Sequence, residues 1–167
     1  MKKIILKKPG GLENLTFVDA ADCTPGFGEV CVNWKASSLN YHDLLVALGA
    51  IPVVEDQIPM SDGAGEIIAV GEGVSQWQKG DKVMSLFFPN WMNGHPTPQN
   101  TAAVTGDTIF GTATQRQCVA ATALTKMPVG YSFEQAATLP CAALTAWRGL
   151  VSEGGLKAGD TVLVEGT

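Results

Sequence analysis

A chain of 167 residues is long enough to bury about 70% of its unfolded surface, so it needs no disulfide staples to fold. Apolar residues make up 46% and charged residues 16%, which excludes a disordered chain. Asp and Glu number 16 against 11 Lys and Arg, a net charge of −5; without a basic cluster, no nucleic-acid and no membrane-surface partner is expected.

At the N-terminus, Lys2 and Lys3 precede only Ile4-Ile5-Leu6 before lysine returns, too little for a signal peptide, and no apolar run reaches the ~18 residues of a membrane span. A cytoplasmic location is expected. Ile4-Ile5-Leu6 and Leu15-Thr16-Phe17-Val18 read as short strands on either side of Pro9-Gly10-Gly11. Residues 29–36 alternate, with Val30, Val32, Trp34 and Ala36 on one face and Glu29, Cys31, Asn33 and Lys35 on the other, the period of a half-buried strand. Residues 40–48 predict a short helix with Asn40 as N-cap, Leu44, Leu45 and Leu48 on one side and Gly49 as its stop. Strands are predicted at 65–70 and 83–86, joined through the turns Gly71-Glu72-Gly73 and Lys79-Gly80-Asp81. Residues 89–108, rich in Pro, Asn, Gly and Thr, read as a long surface loop whose Trp91, Met92 and His95 either cover a pocket or pack locally.

The texture changes near Pro128. Ser132-x-x-Gln135 is a capping-box pattern that opens a helix, and Pro140 interrupts it. A second helix is predicted from Cys141 to Val151, with Leu144, Trp147, Leu150 and Val151 along one stripe and Gly154-Gly155 as its stop. Thr161-Val162-Leu163-Val164 has the continuous, β-branched look of a parallel strand buried on both faces. A buried strand followed by glycine, here Gly166, is how a dinucleotide-binding unit begins, although one glycine is a weak signal. The four cysteines, Cys23, Cys31, Cys118 and Cys141, form no Cys-x-x-Cys pair, which argues against a zinc ribbon and a disulfide scaffold. No serine or cysteine sits in a nucleophile motif such as G-x-S-x-G, so hydrolysis is not supported.

Six blocks occur in order: residues 38–43 (Ser-Leu-Asn-Tyr-His-Asp), 61–65 (Ser-Asp-Gly-Ala-Gly), 70–74 (Val-Gly-Glu-Gly-Val), 79–83 (Lys-Gly-Asp-Lys-Val), 139–147 (Leu-Pro-Cys-Ala-Ala-Leu-Thr-Ala-Trp) and 157–164 (Lys-Ala-Gly-Asp-Thr-Val-Leu-Val). Their order resembles the medium-chain dehydrogenase/reductase superfamily, most of all its zinc-independent branch of quinone oxidoreductase-like and alcohol dehydrogenase-like proteins. The resemblance implies a mixed β/α fold. A GroES-like, partly open β-barrel would cover 1–126, and 127–167 would supply the lead-in helices and first strand of an incomplete Rossmann domain.

By the same resemblance, zinc-dependent members hold a catalytic metal with cysteine, histidine and cysteine at the positions of Asn40, Ser61 and Cys141. One thiolate cannot build a site that needs three protein ligands, and residues 87–117 lack the cysteines of a structural zinc lobe, so no metal is expected. His42 is read as a surface or helix-facing residue. Cys141, flanked by Ala142 and Ala143, is expected to be a small buried core residue.

Without a Lewis acid, hydride chemistry suits an electron-poor acceptor such as a quinone or conjugated enone. The resemblance implies NADP or NAD as cofactor. It places Asn40 near nicotinamide and substrate, where its amide could donate to a carbonyl oxygen. A capping role is compatible, because a cap uses the amide oxygen and leaves the NH2 free. Tyr41 would shape the substrate pocket or simply pack. Thr145 would meet the nicotinamide carboxamide or be an ordinary helix threonine, and Gly166 would be the first fingerprint glycine. Asp43 and Asp62 are read as structural carboxylates that accept backbone N–H groups. The chain is expected to be the N-terminal portion of an oxidoreductase nearly twice as long, a homodimer acting on a small-molecule substrate, and to be inactive alone. The alternative is a stand-alone GroES-like module that binds a ligand or partner without catalysis.

Overall fold

The computed structural model describes residues 1–165, in which the short apolar runs between turns form seven strands. These are β1 (Lys2–Leu6), β2 (Leu15–Asp19), β3 (Glu29–Ser38), β4 (Asp62–Val70), β5 (Lys82–Ser85), β6 (Arg116–Ala120) and β7 (Leu124–Lys126). β1 and β2 pair as an antiparallel ribbon. The other five form one antiparallel sheet in the order β6-β3-β4-β5-β7, open at both edges. Single bridges, Lys3 to Thr114 and Leu6 to Gln57, tie the ribbon to the rest. β6 and β7 carry no clear period in the sequence; their neighbours β3 and β5 supply the ladders that define them.

The alternation in β3 is what builds the main core. Val30, Val32 and Trp34 pack with Ile67, Val83, Ala121 and Leu124. Two irregularities in the β3–β4 register, at Cys31/Val32 and Trp34/Ala36, bend the pair, and Ala36 packs instead with a second cluster of Ala64, Met84, Ala136 and Ala137. The predicted polar face is corrected at Cys31, which is 2% exposed. Its opposite neighbour in the ladder is Cys118, and Cys23 from the irregular stretch before β3 lies across it.

Helix α1 (Tyr41–Ala47) has Asn40 as N-cap and ends at Leu48, with Gly49 at φ +74 immediately after, as the sequence predicts. Its buried face differs from the predicted one. Asp43 and Val46 are buried, whereas Leu44 and Leu48 are largely exposed. Val46 packs on Leu6 and Val53 in a third cluster, and Asp43 faces inward because two backbone N–H groups need its carboxylate.

Helix α2 (Phe133–Ala137) opens with the predicted capping box, Ser132 Oγ accepting from the Gln135 N–H. It lays Ala136 and Ala137 on the sheet. The predicted helix 141–151 is longer and less regular: a π-helical turn (Leu139–Ala143), α3 (Leu144–Trp147) and a second π-helical turn (Arg148–Glu153). Gly155, at φ +64, follows it. Its apolar stripe faces solvent, Leu144 and Trp147 being 59% and 62% exposed, because none of the three core clusters reaches it.

The predicted buried strand at 161–164 does not form: Leu163 and Val164 are over 80% exposed. A strand needs a neighbour for its N–H and C=O groups, and none of the seven strands pairs with these residues. Among the described residues, no helix is long and apolar enough to cross a membrane.

Candidate functional site

Four segments meet at the N-terminal end of α1. Asn40 caps the helix, Ser61 immediately precedes β4 and Asp62 begins it, Ser85 ends β5, and Cys141 lies in the first π-helical turn. Asp43 is the pivot. One carboxylate oxygen accepts the Asn40 N–H at 2.8 Å and the other the Ser61 N–H at 2.9 Å. Asn40 and Ser61 are thereby fixed face to face, and Asn40 Nδ2 donates to Ser61 Oγ at 3.0 Å. This corrects the expectation of a free NH2: one of its two hydrogens is engaged, and one remains.

Asp62 holds the helical run to the sheet. Its carboxylate accepts the Cys141 N–H at 2.9 Å across 79 residues of chain, while Oδ1 is buried without a partner. Burial pushes the Asp62 carboxyl above the usual aspartate range; the nearby Asn40 amide and then the Cys141 N–H oppose this, and the charge of Asp43 adds to it. Ser37 Oγ and Thr112 Oγ1 both donate to the Asp62 carbonyl, and Ser85 Oγ donates to the Ser61 carbonyl. Both carboxylates thus accept backbone N–H groups, the structural role read from the sequence.

Cys141 is half-buried beside exposed Ala142 and Ala143, not the enclosed core residue expected. Burial, then the charges of Asp62 and Asp43, raise its thiol pKa. Thr145 is exposed, and its Oγ1 donates to the Cys141 carbonyl at 2.6 Å. Tyr41 is 75% exposed. Gly166 lies outside the described residues.

His42 turns away from this group. Its Nε2 lies 3.3 Å from Asp107 without hydrogen-bond alignment, and its ring meets the Phe87 edge at 5.3 Å. The aromatic contacts continue through Phe88 to Trp91, over which the Arg148 guanidinium sits at 5.1 Å. In the long loop, Trp91 therefore packs locally and ties the loop to the helical run, while Met92 and His95 are exposed.

The donors at Asn40, Ser61 and Cys141 do not suit a zinc ion. An amide and a hydroxyl bonded to each other leave one thiol as the only customary ligand. Among the described residues, the one group of three Cys, His, Asp or Glu with ligand atoms within 4.8 Å of one another lies elsewhere, at Cys23, Cys31 and Cys118. Sequence spacing gave no sign of it, because strand register brings Cys31 to Cys118 and the irregular stretch before β3 folds Cys23 over them.

Residues 26–129 match the family described as alcohol dehydrogenase GroES-like domain. A zinc-type alcohol dehydrogenase-like protein of Schizosaccharomyces pombe is 46% identical over 144 residues, 84% of this chain and 42% of that protein. Among solved structures, a Sinorhizobium meliloti protein assigned as an alcohol dehydrogenase superposes with a TM-score of 0.85 at 30% identity, covering 95% of this chain and 48% of its own. A quinone oxidoreductase of Pseudomonas syringae gives 0.73 at 29% identity, covering 95% and 43%. The chain spans less than half the length of each of these proteins. With its open antiparallel sheet and with α1 capped by Asn40 against Ser61, the chain belongs to the alcohol dehydrogenase GroES-like domain family.

Proposed function

We propose that this chain supplies the substrate-side half of an NAD(P)-dependent oxidoreductase that reduces a quinone or an α,β-unsaturated carbonyl, or interconverts an alcohol and a carbonyl, without a metal at the Asn40 site. The observation that carries this reading is the 3.0 Å bond from Asn40 to Ser61. It supports the reading because it pairs an amide with a hydroxyl at the two positions where the resemblance puts ligands in zinc-dependent members. The nicotinamide, when bound, supplies or accepts the hydride.

The residues present fit the nicotinamide end of such a cofactor. Thr145 is exposed, and its hydroxyl, having donated to Cys141, keeps its lone pairs for an incoming amide. Asn40 keeps one amide hydrogen. Gly166 would serve the phosphate-side turn. Asn40 would donate its remaining hydrogen to the substrate oxygen as negative charge grows there, and the Asp43–Ser61 frame would hold the amide so that it need not reorganise. Tyr41, with its ring in solvent, would edge the small-molecule pocket. The full-length protein would work as a homodimer.

The test is steady-state kinetics of the full-length protein with NADPH or NADH and a panel of quinones and enones. Asn40→Asp keeps a good helix cap and removes the donor. It is expected to lower kcat about 100-fold with little change in the KM for the nucleotide. A kcat within about threefold of the parent would remove Asn40 from the chemistry. No NAD(P)H oxidation with any acceptor would replace the enzyme by a ligand-binding module.

A further inference from the structure

Away from the Asn40 site, three of the four cysteines converge on the β6 edge of the sheet. Cys31 and Cys118 are direct partners in the β3–β6 ladder and so point to the same face. Cys23, from the irregular segment between β2 and β3, closes over them, its Sγ 3.8 Å from that of Cys31. All three sulfurs lie within 4.8 Å of one another. An ion bound equally to three thiolates at ~2.3 Å in a plane requires sulfurs about 4 Å apart. The side chains therefore already stand close to the spacing of a trigonal site.

The chemistry narrows the ion. Soft thiolates select Cu(I), zinc or iron–sulfur clusters, and zinc in an all-thiolate site takes a fourth ligand. No fourth ligand belongs to the group among the described residues. The nearest carboxylate in sequence, Asp22, is committed to the Arg116 guanidinium at 2.6 Å. Arg116, two residues before Cys118, adds a positive charge that stabilises a Cys31 thiolate. Burial and the crowding of neighbouring thiols raise the Cys31 pKa to about 11 and push that of Cys118 up as well, so these two keep their protons until an ion displaces them.

We propose that Cys23, Cys31 and Cys118 form a three-coordinate, all-sulfur site for a soft monovalent metal ion, Cu(I). Binding exchanges three S–H bonds for three Cu–S bonds and releases three protons to solvent, with copper and sulfur unchanged in oxidation state. Entry is from the side of Cys23, whose segment has no regular structure, whereas Cys31 is sealed beneath it. The site is separate from the Asn40 group, to which only Cys141 belongs.

The purified, fully reduced protein would be titrated anaerobically with Cu(I) held by a chromophoric chelator. The expected result is transfer of one Cu(I) per chain with a new near-ultraviolet thiolate-to-copper band. Cys23→Ser and Cys118→Ser should each lose the transfer at least tenfold, and Cys141→Ser should retain it. Cys23→Ser is the decisive variant, because Cys23 lies outside the sheet and outside the three core clusters; an unchanged circular dichroism spectrum and melting curve would establish that it folds. Failure to take Cu(I) from the chelator would overturn the proposal. So would a band that persists in Cys23→Ser or disappears in Cys141→Ser, retention of zinc against excess Cu(I), or a Cys23–Cys31 disulfide that forms faster than copper binds.

Discussion

Asp62 is completely enclosed, with one carboxylate oxygen satisfied by the Cys141 N–H and the other by nothing. Burial favours its neutral form, so its pKa is higher in the folded protein than in the unfolded chain. Below the ordinary aspartate value of 3.8 both states hold the proton and the residue costs nothing. As pH rises through the folded pKa, the unfolded chain has already ionised and the folded protein must ionise at a disadvantage, so stability falls. Asp62→Asn keeps an acceptor for Cys141 and removes the charge. Denaturant unfolding should show the variant gaining on the parent as pH rises from 3 to 7; a constant difference would mean that Asp62 ionises freely. The Asp62–Cys141 bond was invisible in the sequence, because nothing local relates residues 79 apart. Asn40, Ser61 and Cys141 were legible as positions, through their motifs. Their mutual arrangement was not, since it depends on Asp43 reaching both Asn40 and Ser61.

At the level of the element, α1 shows which signals survive folding. Its start and stop follow from Asn40 and Gly49, because caps act within one turn of chain. Its buried face does not follow from its leucines. A seven-residue helix has room for one inward stripe, and the two backbone N–H groups that Asp43 satisfies decide which stripe that is. Asp43→Ala would leave the Ser61 N–H buried without a partner and loosen the Asn40 cap. The expected cost is about 3 kcal/mol in chemical unfolding. Leu44→Ala, on the exposed side, should stay within about 0.5 kcal/mol. Equal effects would mean that α1 is held by its leucines after all. The strand β3 makes the same point: its period of two is legible, but the break near Lys35 that moves Ala36 to another cluster comes from pairing with β4.

For the whole molecule, the distribution of packing divides the chain more sharply than composition does. All three core clusters, with the side chains packed on them, draw on residues between Leu6 and Leu139. Beyond that point the helical run is held by the Cys141–Asp62 bond, the Arg148–Trp91 stack and little else, and residues 156–165 contain no helix or strand. The β-branched run at 161–164 misled the sequence reading for this reason: such a run specifies a strand only where a neighbouring ladder exists to receive it. Local unfolding should therefore begin here. Lys157 is exposed in a turn and is the expected first site of limited trypsin digestion. Cleavage there should leave a fragment that unfolds at nearly the same denaturant midpoint as the parent, because it removes no member of any core cluster. A lowered midpoint would mean that residues after Lys157 brace the sheet in a way their exposure conceals. Resistance to trypsin at Lys157, with chymotrypsin cutting first after Trp91 in the 89–108 loop, would place the weakest part of the molecule at the Phe88–Trp91 stack, and hence beside the Asn40 site.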